Sequence, residues 1–223
     1  MPPNDKQTPV SSAKKPREKT RVAALGRSAT REVRRQQLID ATIDCLARYG
    51  FADITMAQVA EAAGLSQGII NFHFRSKETL LLETLAFMDR EYRETWQRAL
   101  SAAGAGPRDR LLALLCSEFD PAICNRKKIA VWHAFYGEAK ARPTYRKLCG
   151  ERDETRRQAM REILVALTRD EVSRPDCNAL ADALCALTDG FWLDFHLSTG
   201  RIDRAAARDA VQVLLAGLFP QHY

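Results

Sequence analysis

The stretch MAQVAEAAGLSQGIINFHFR, Met56 to Arg75, restricts the fold of this chain more than any other. Val59, Leu65, Ile69 and Ile70 are spaced to bury one face of each of two short helices. Ala60 is small where two helix backbones must approach. Gly64 stands four residues later, where the chain leaves the first helix through the positive φ that favours glycine. Ser66 offers a side-chain oxygen to cap the second helix. Gln67, Gly68, Asn71, Phe72 and His73 are left for the outer face. The pattern is that of a helix-turn-helix, whose second helix enters the major groove of DNA.

A helical hairpin that touches no DNA has the same apolar skeleton, and the flanks decide between the two. A well-marked helix and a basic segment precede the motif. A capped helix start, Ser76-Lys77-Glu78-Thr79, follows it directly. The charge is concentrated as well. Residues 1–35 hold ten Lys/Arg against three Asp/Glu, residues 36–77 three against four, and the rest twenty-one of each. The whole basic excess therefore lies in the leader and the start of the first helix. Two readings are open for residues 1–26: a phosphate-contacting arm, or a solvated tail without a specific role.

A chain of 223 residues can form one or two domains with a substantial core. No run approaches the ~20 apolar residues of a membrane span, and the first thirty residues lack the apolar segment of a secretory signal. A cytoplasmic protein without membrane contact is expected. The six cysteines, at 45, 116, 124, 149, 177 and 185, form no C-x-x-C pair and show no zinc-ligand spacing with the four histidines. No metal or cofactor is expected. The cysteines read as small apolar filler, with a thiol sensor as the alternative.

Residues 1–28 are rich in Pro, Lys, Ser and Thr, and a disordered basic leader is expected there. A helix is predicted from Ala29–Thr30 to Gly50 on the spacing of Leu38, Ile39, Thr42, Ile43, Leu46 and Ala47. Phe51 and Ile54 anchor a short connection, and Thr55 caps the next helix. This gives a three-helix unit and a DNA-binding domain over 29–77. A fourth helix is predicted from Ser76 to about Ala103. Others follow at about 107–118, 126–140, 143–168, 175–198 and 203–218, with Pro121, Pro143, Pro175 and Gly200 among the breaks. No segment alternates as a strand does. The expected fold is all-α, about nine helices, with residues 78–223 as a larger ligand-binding and dimerisation bundle. The last two helices carry little polar surface: Leu180, Leu184, Leu187, Phe191 and Phe195 on one, and Ala206, Ala210 and Gly217 striping the other. A two-fold homodimer through this pair accounts for that, and burial within one chain is the alternative.

The segment SQGIINFHFRSKETLL resembles the recognition helix and following helix of the TetR family of one-component repressors, and the similar unit covers about residues 31–82. Further on, AVWHAFYGEAKARPTYRKL and ALTDGFWLDFHLSTG are similar to the choline-responsive repressors of glycine-betaine synthesis, as is RRQQLIDATI in the first helix. Asn71-Phe72-His73-Phe74 departs from the Ser-His-Tyr-Phe of those repressors, and the chain has a leader of about 25 residues more. The resemblance implies a repressor that binds a pseudo-palindromic DNA operator as a dimer and is released by a small-molecule effector, choline or betaine aldehyde in that subgroup.

By this resemblance Thr55 and Lys77 contact phosphates. Gln67 and Asn71 are candidates for base edges, since a side-chain amide pairs bidentately with adenine, with phosphate binding as the alternative for Asn71. Ser66 and Gly68 belong to the same face. Phe72 is placed to press on a thymine methyl or a sugar, His73 on the backbone, and Phe74 into the core. Arg31, Arg34 and Arg35 are candidates for phosphates or an adjoining minor groove. For the effector the candidates are Trp132, Phe135, Tyr136, Tyr145, Phe191, Trp192 and Trp96, with Asp189 and Glu138 as counter-charges. Aromatic walls suit a quaternary ammonium through cation–π attraction, although aromatics at this spacing also serve as plain core. The fourth helix, with Met88 and Trp96, is the expected connecting rod. Three alternatives stand beside this reading. One is an enzyme, against which no nucleophile–base–acid set or Gly-rich phosphate loop is found. The others are a DNA binder without an effector and a related repressor for an acyl-CoA or a cationic drug.

Overall fold

In the computed structural model, residues 16–169, 176–198 and 203–223 are described, with side chains in the first helix from residue 30 onward. Nine α-helices and no strand occur among them: α1 (Pro16–Asp53), α2 (Met56–Ala62), α3 (Gln67–His73), α4 (Lys77–Ala102), α5 (Pro107–Ser117), α6 (Arg126–Ala139), α7 (Pro143–Leu167), α8 (Cys177–Leu197) and α9 (Arg204–Leu218). The chain divides into two units, one ending at Gln37 and one from Leu38 to Tyr223.

Up to Gln37 the described chain is the first part of α1. This helix begins at Pro16, ahead of the Ala29–Thr30 start that the sequence predicts. Proline is favoured in a first turn, where its missing N–H has no partner to lose, and Arg, Glu, Lys and Ala follow it as good helix formers. Residues 1–15 of the expected leader lie outside the described residues, as do the breaks at Pro175 and Gly200.

From Leu38 onward, α1, α2 and α3 surround a core of Leu38, Ile39, Ile43, Leu46, Ile54, Val59, Ala60, Ile70 and Phe74. Gly50, at φ 76° and ψ 179°, interrupts α1 where the sequence predicts its end. Thr42 and Thr84 sit fully buried within α1 and α4, each donating its hydroxyl to the carbonyl four residues back, Leu38 at 2.7 Å and Leu80 at 2.8 Å. Further along, α7 is the central strut, packing on α4, α5, α6 and α8, while α9 rests on α5. Caps fix the starts: Ser76, Asn125, Asp176 and Asp203 each accept from backbone N–H groups of α4, α6, α8 and α9.

Candidate nucleic-acid interface and effector site

Thr55 builds a capping box at the start of α2. Its Oγ1 accepts from the Gln58 N–H at 3.2 Å, and Gln58 Oε1 accepts from the Thr55 N–H at 2.7 Å. At the far end Gly64 turns the chain at φ 64°, with its N–H donating to the Glu61 carbonyl and that of Leu65 to Ala60. Ser66 has the N-cap backbone conformation of α3, and its carbonyl accepts from Ile69 and Ile70. Its hydroxyl makes no capping bond, which corrects the side-chain cap expected there. The short α3 starts on backbone geometry, and the Ser66 hydroxyl is left outward.

Along α3, Ile70 and Phe74 point into the core, and Gln67, Gly68, Asn71 and Phe72 are exposed, Phe72 at 70%. Gln67 Nε2 donates to Asn71 Oδ1 at 3.3 Å, so the two amides share one patch. His73 is half-buried with its ring edge-on to Phe72. An exposed surface of two paired amides flanked by a phenyl ring is suited to base edges and thymine methyls. Lys77, at the start of α4, is half-buried and donates to the Phe51 carbonyl at 3.4 Å. In the N-terminal unit Arg31 and Arg34 are exposed and Arg35 half-buried, and Arg34 donates to Gln37 at 3.0 Å.

The effector candidates do not form one cavity; the structure divides them into clusters. Phe135 and Tyr145 meet Phe51, with ring centroids 5.9 and 5.7 Å from it, and Arg142 covers Phe51 and Tyr145 while pairing with Glu138 and Glu78. This cluster joins the residue after the Gly50 turn to α6 and α7. Phe191 packs with Phe119 and Phe195. Trp96 is buried one turn beyond Tyr92 on α4. Trp132 and Tyr136 stack at 6.0 Å, and together with Tyr92 they enclose the guanidinium of Arg152, which lies 4.4, 5.5 and 4.6 Å from their respective centroids. Burial pushes the Tyr92 and Tyr136 phenols up, so both rings remain neutral and present their faces to a cation.

One turn further along α7, Arg156 is fixed differently. It pairs with the buried Glu118 at 2.9 Å, donates to Thr188 at 3.1 Å and reaches Asp189 at 3.4 Å. Burial raises the Asp189 carboxyl, against the pull of Arg156 and Arg152. Glu118 also accepts from the Tyr92 hydroxyl at 2.6 Å, and its carbonyl accepts from Trp192 Nε1 at 2.9 Å. Trp192 and Asp189 thus serve this polar knot, which ties α4, α5, α7 and α8 together. Tyr92, Arg152 and Arg156 are absent from the sequence-based set. Tyr92 reads as one more apolar position of α4, and GERDETRRQAMRE reads as a solvated face with nothing to single out these two arginines.

A separate cleft of about 560 Å³ opens between the start of α6, the end of α8 and the start of α9. Ile129 and Phe195 form part of its floor, with Arg126, Arg204 and Arg208 around it. None of the predicted residues lines it. The cysteines all carry free thiols, and burial raises those of Cys45, Cys116 and Cys185, that of Cys149 to about 11 and that of Cys124 to about 12. These five thiols are not the ready thiolates that a redox sensor requires. No cluster able to hold a metal ion, and no helix long and apolar enough to cross a membrane, occurs among the described residues.

Comparison with known proteins matches two stretches of the chain. Residues 38–84 match the family of bacterial regulatory proteins named tetR, and residues 107–220 match the C-terminal domain of BetI-type transcriptional repressors. The HTH-type transcriptional regulator BetI of Paraburkholderia phytofirmans is 34% identical over 190 residues, covering 83% of this chain and 95% of the relative. Its namesake in Paraburkholderia phymatum is 35% identical over the same coverage. Among solved structures, a putative transcriptional regulator from Pseudomonas aeruginosa PAO1 superposes with a TM-score of 0.73 at 28% identity, covering 84% of this chain and 90% of that one. A putative transcriptional regulator from Saccharomonospora viridis, solved in complex with choline, also gives 0.73, at 22% identity and covering 81% and 94%. The chain belongs to the TetR family: it is a DNA-binding, effector-responsive transcriptional repressor with a C-terminal domain of the BetI type, and not an enzyme.

Proposed function

We propose that this repressor acts in the cytoplasm as a homodimer on a pseudo-palindromic operator and is released by a quaternary ammonium effector, choline or betaine aldehyde, so that it controls genes of betaine synthesis. Residues 29–77 are the DNA reader, and residues 78–223 hold the effector and the dimer contact. The observation that carries the effector class is the box of Tyr92, Trp132 and Tyr136, whose faces already surround a cation. Relatives named BetI and the choline-bound structure with the same fold support the same class. Gln67 and Asn71 read bases, Phe72 presses on a methyl or a sugar, and Thr55, His73 and Lys77 position the backbone, with Ser66 and Gly68 on the same surface. Arg31, Arg34 and Arg35 add phosphate or minor-groove contacts.

The dimer is proposed to form through α8 and α9, where Leu193, Leu197, Val213, Leu214 and Leu218 are exposed large apolar residues and Ala206, Ala210 and Gly217 are exposed between them. Two readers held by this pair span half-sites one helical turn apart, ~34 Å. A cation that prefers a wider spacing draws the dimer from the DNA-competent state by its differential affinity for the two. Titration calorimetry with choline and betaine aldehyde, coupled to operator-binding anisotropy, tests the reading. Heat with one of them, together with release of the operator, supports it; no heat with either at millimolar concentration overturns it. A second reading, an anionic acyl-CoA effector, draws on the cleft of Arg126, Arg204 and Arg208 over Ile129 and Phe195. Operator release by acyl-CoA and not by choline would favour it.

A further inference from the structure

We propose that Arg152 is the resident cation of the aromatic box and that an effector cation takes its place, so that effector arrival and the loosening of α4 are one event. The proposal rests on the quaternary ammonium reading above. Its starting point is the contrast between two buried arginines one turn apart on α7. Arg156 has a carboxylate, a hydroxyl and a second carboxylate around its guanidinium. Arg152, at 3% exposure, has three ring faces and the carboxylate of its own neighbour Asp153, to which Nε donates at 2.7 Å and which Nη2 reaches at 2.5 Å. Its Nη1, which carries two N–H groups, is buried without a hydrogen-bond partner, whereas Arg156 leaves only its single Nε–H so.

A guanidinium carries five donors, and an apolar box of ring faces offers no acceptor for them, so the orphaned N–H groups keep their desolvation cost. A tetraalkylammonium ion has no donors at all. It keeps the attraction to the ring faces and gives up no hydrogen bond on leaving water. Exchange therefore relieves the unmet donor of Arg152, provided the guanidinium, already held by Asp153 through Nε and Nη2, turns outward together with that half-buried carboxylate toward solvent. A primary ammonium brings three donors into the same box and gains no such advantage. The rings belong to different elements: Tyr92 to α4, Trp132 and Tyr136 to α6, with Arg152 on α7. Arg152 thus clasps α4 to the two helices behind it, and α4 begins four residues after the recognition helix ends. Removing the clasp frees the rod that carries the reader.

Tetramethylammonium chloride is the probe, titrated into the full-length protein at constant ionic strength and followed by calorimetry and by tryptophan emission. Arg152→Met should bind the probe at least about tenfold more tightly than the wild type, a preference not shared by methylammonium. In the wild-type protein, the Arg152 Nε–H resonance, displaced by ring currents, should move to the ordinary arginine position as the probe saturates. Equal affinity in both proteins, or a resonance that stays in place at saturation, overturns the exchange while leaving the cation-responsive reading intact. Binding by the variant alone supports the exchange and overturns release of the wild type by such a cation. Silence from both at millimolar probe overturns both readings. Should Arg152→Met fail to fold, the wild-type resonance decides.

Discussion

Gln67 and Asn71 hold each other in the free protein, which keeps both amides on one exposed face of α3. Gln67→Ala or Asn71→Ala is expected to cost about 1–3 kcal/mol of operator binding and to relax preference at one base step. Lys77→Ala should weaken all duplexes alike; competition between operator and scrambled DNA separates the two behaviours. Deeper in, Arg156→Met leaves the Glu118 carboxylate buried without its cation, and urea unfolding should show a loss of about 3–5 kcal/mol. Single residues are unevenly legible in the sequence. The outer face of α3 follows from a 3.6-residue period and a turn glycine. The fate of Arg152 and Arg156 does not, because whether a charge in a run of charges is solvated or buried is decided by helices far away in the chain.

Among elements, the boundaries of α4 to α9 fall within a residue or two of where caps and breakers put them, since these signals act locally through backbone N–H groups and fixed φ. The start of α1 is not legible in the same way, because a composition poor in apolar residues is equally compatible with a solvated helix and with a tail. Packing between elements becomes visible only in the structure. Phe51, readable as an anchor, packs against Phe135 of α6 and Tyr145 of α7. Phe51→Ala is expected to leave effector affinity by calorimetry nearly unchanged while shrinking the effector-driven fall in operator affinity, normally a coupling of about 1–3 kcal/mol. A full-sized fall in the variant would remove Phe51 from the path between bundle and reader. The packing of α6 on α8 includes His133 stacked on His196 at 4.7 Å. Burial, and then His196, lowers the His133 pKa below its ordinary 6.5, while a hydrogen bond to the Trp192 backbone opposes them. The unfolded chain therefore binds the proton first, and stability is lost as pH falls through 6.5 toward the depressed folded value. The thermal midpoint should drop more steeply from about pH 7 to about pH 5 in the wild type than in His133→Gln.

For the whole molecule, a DNA reader followed by a helical bundle is legible in the sequence, and the family relationship agrees. Where a ligand sits is not. Aromatic residues at helical spacing mark burial equally well whether they line a site or fill a core, and here they fall into separate buried clusters. The basic excess of residues 1–35 has a consequence for long-range binding. Deleting that segment should lower the slope of log affinity against log salt by ~0.9 for each phosphate it neutralises, and an unchanged slope would show the leader idle on DNA.

Beyond its chain neighbours and the adjoining helix backbone, Gly50 has no atom within 4 Å of where a Cβ would stand, yet its torsions lie where side chains of L configuration are essentially never found. What this position selects is handedness, not size. A D-alanine introduced there by chemical ligation would meet the extended basin of its own mirror-image map and leave the hinge before Phe51 undisturbed, whereas L-alanine, identical in volume, would have to bend it.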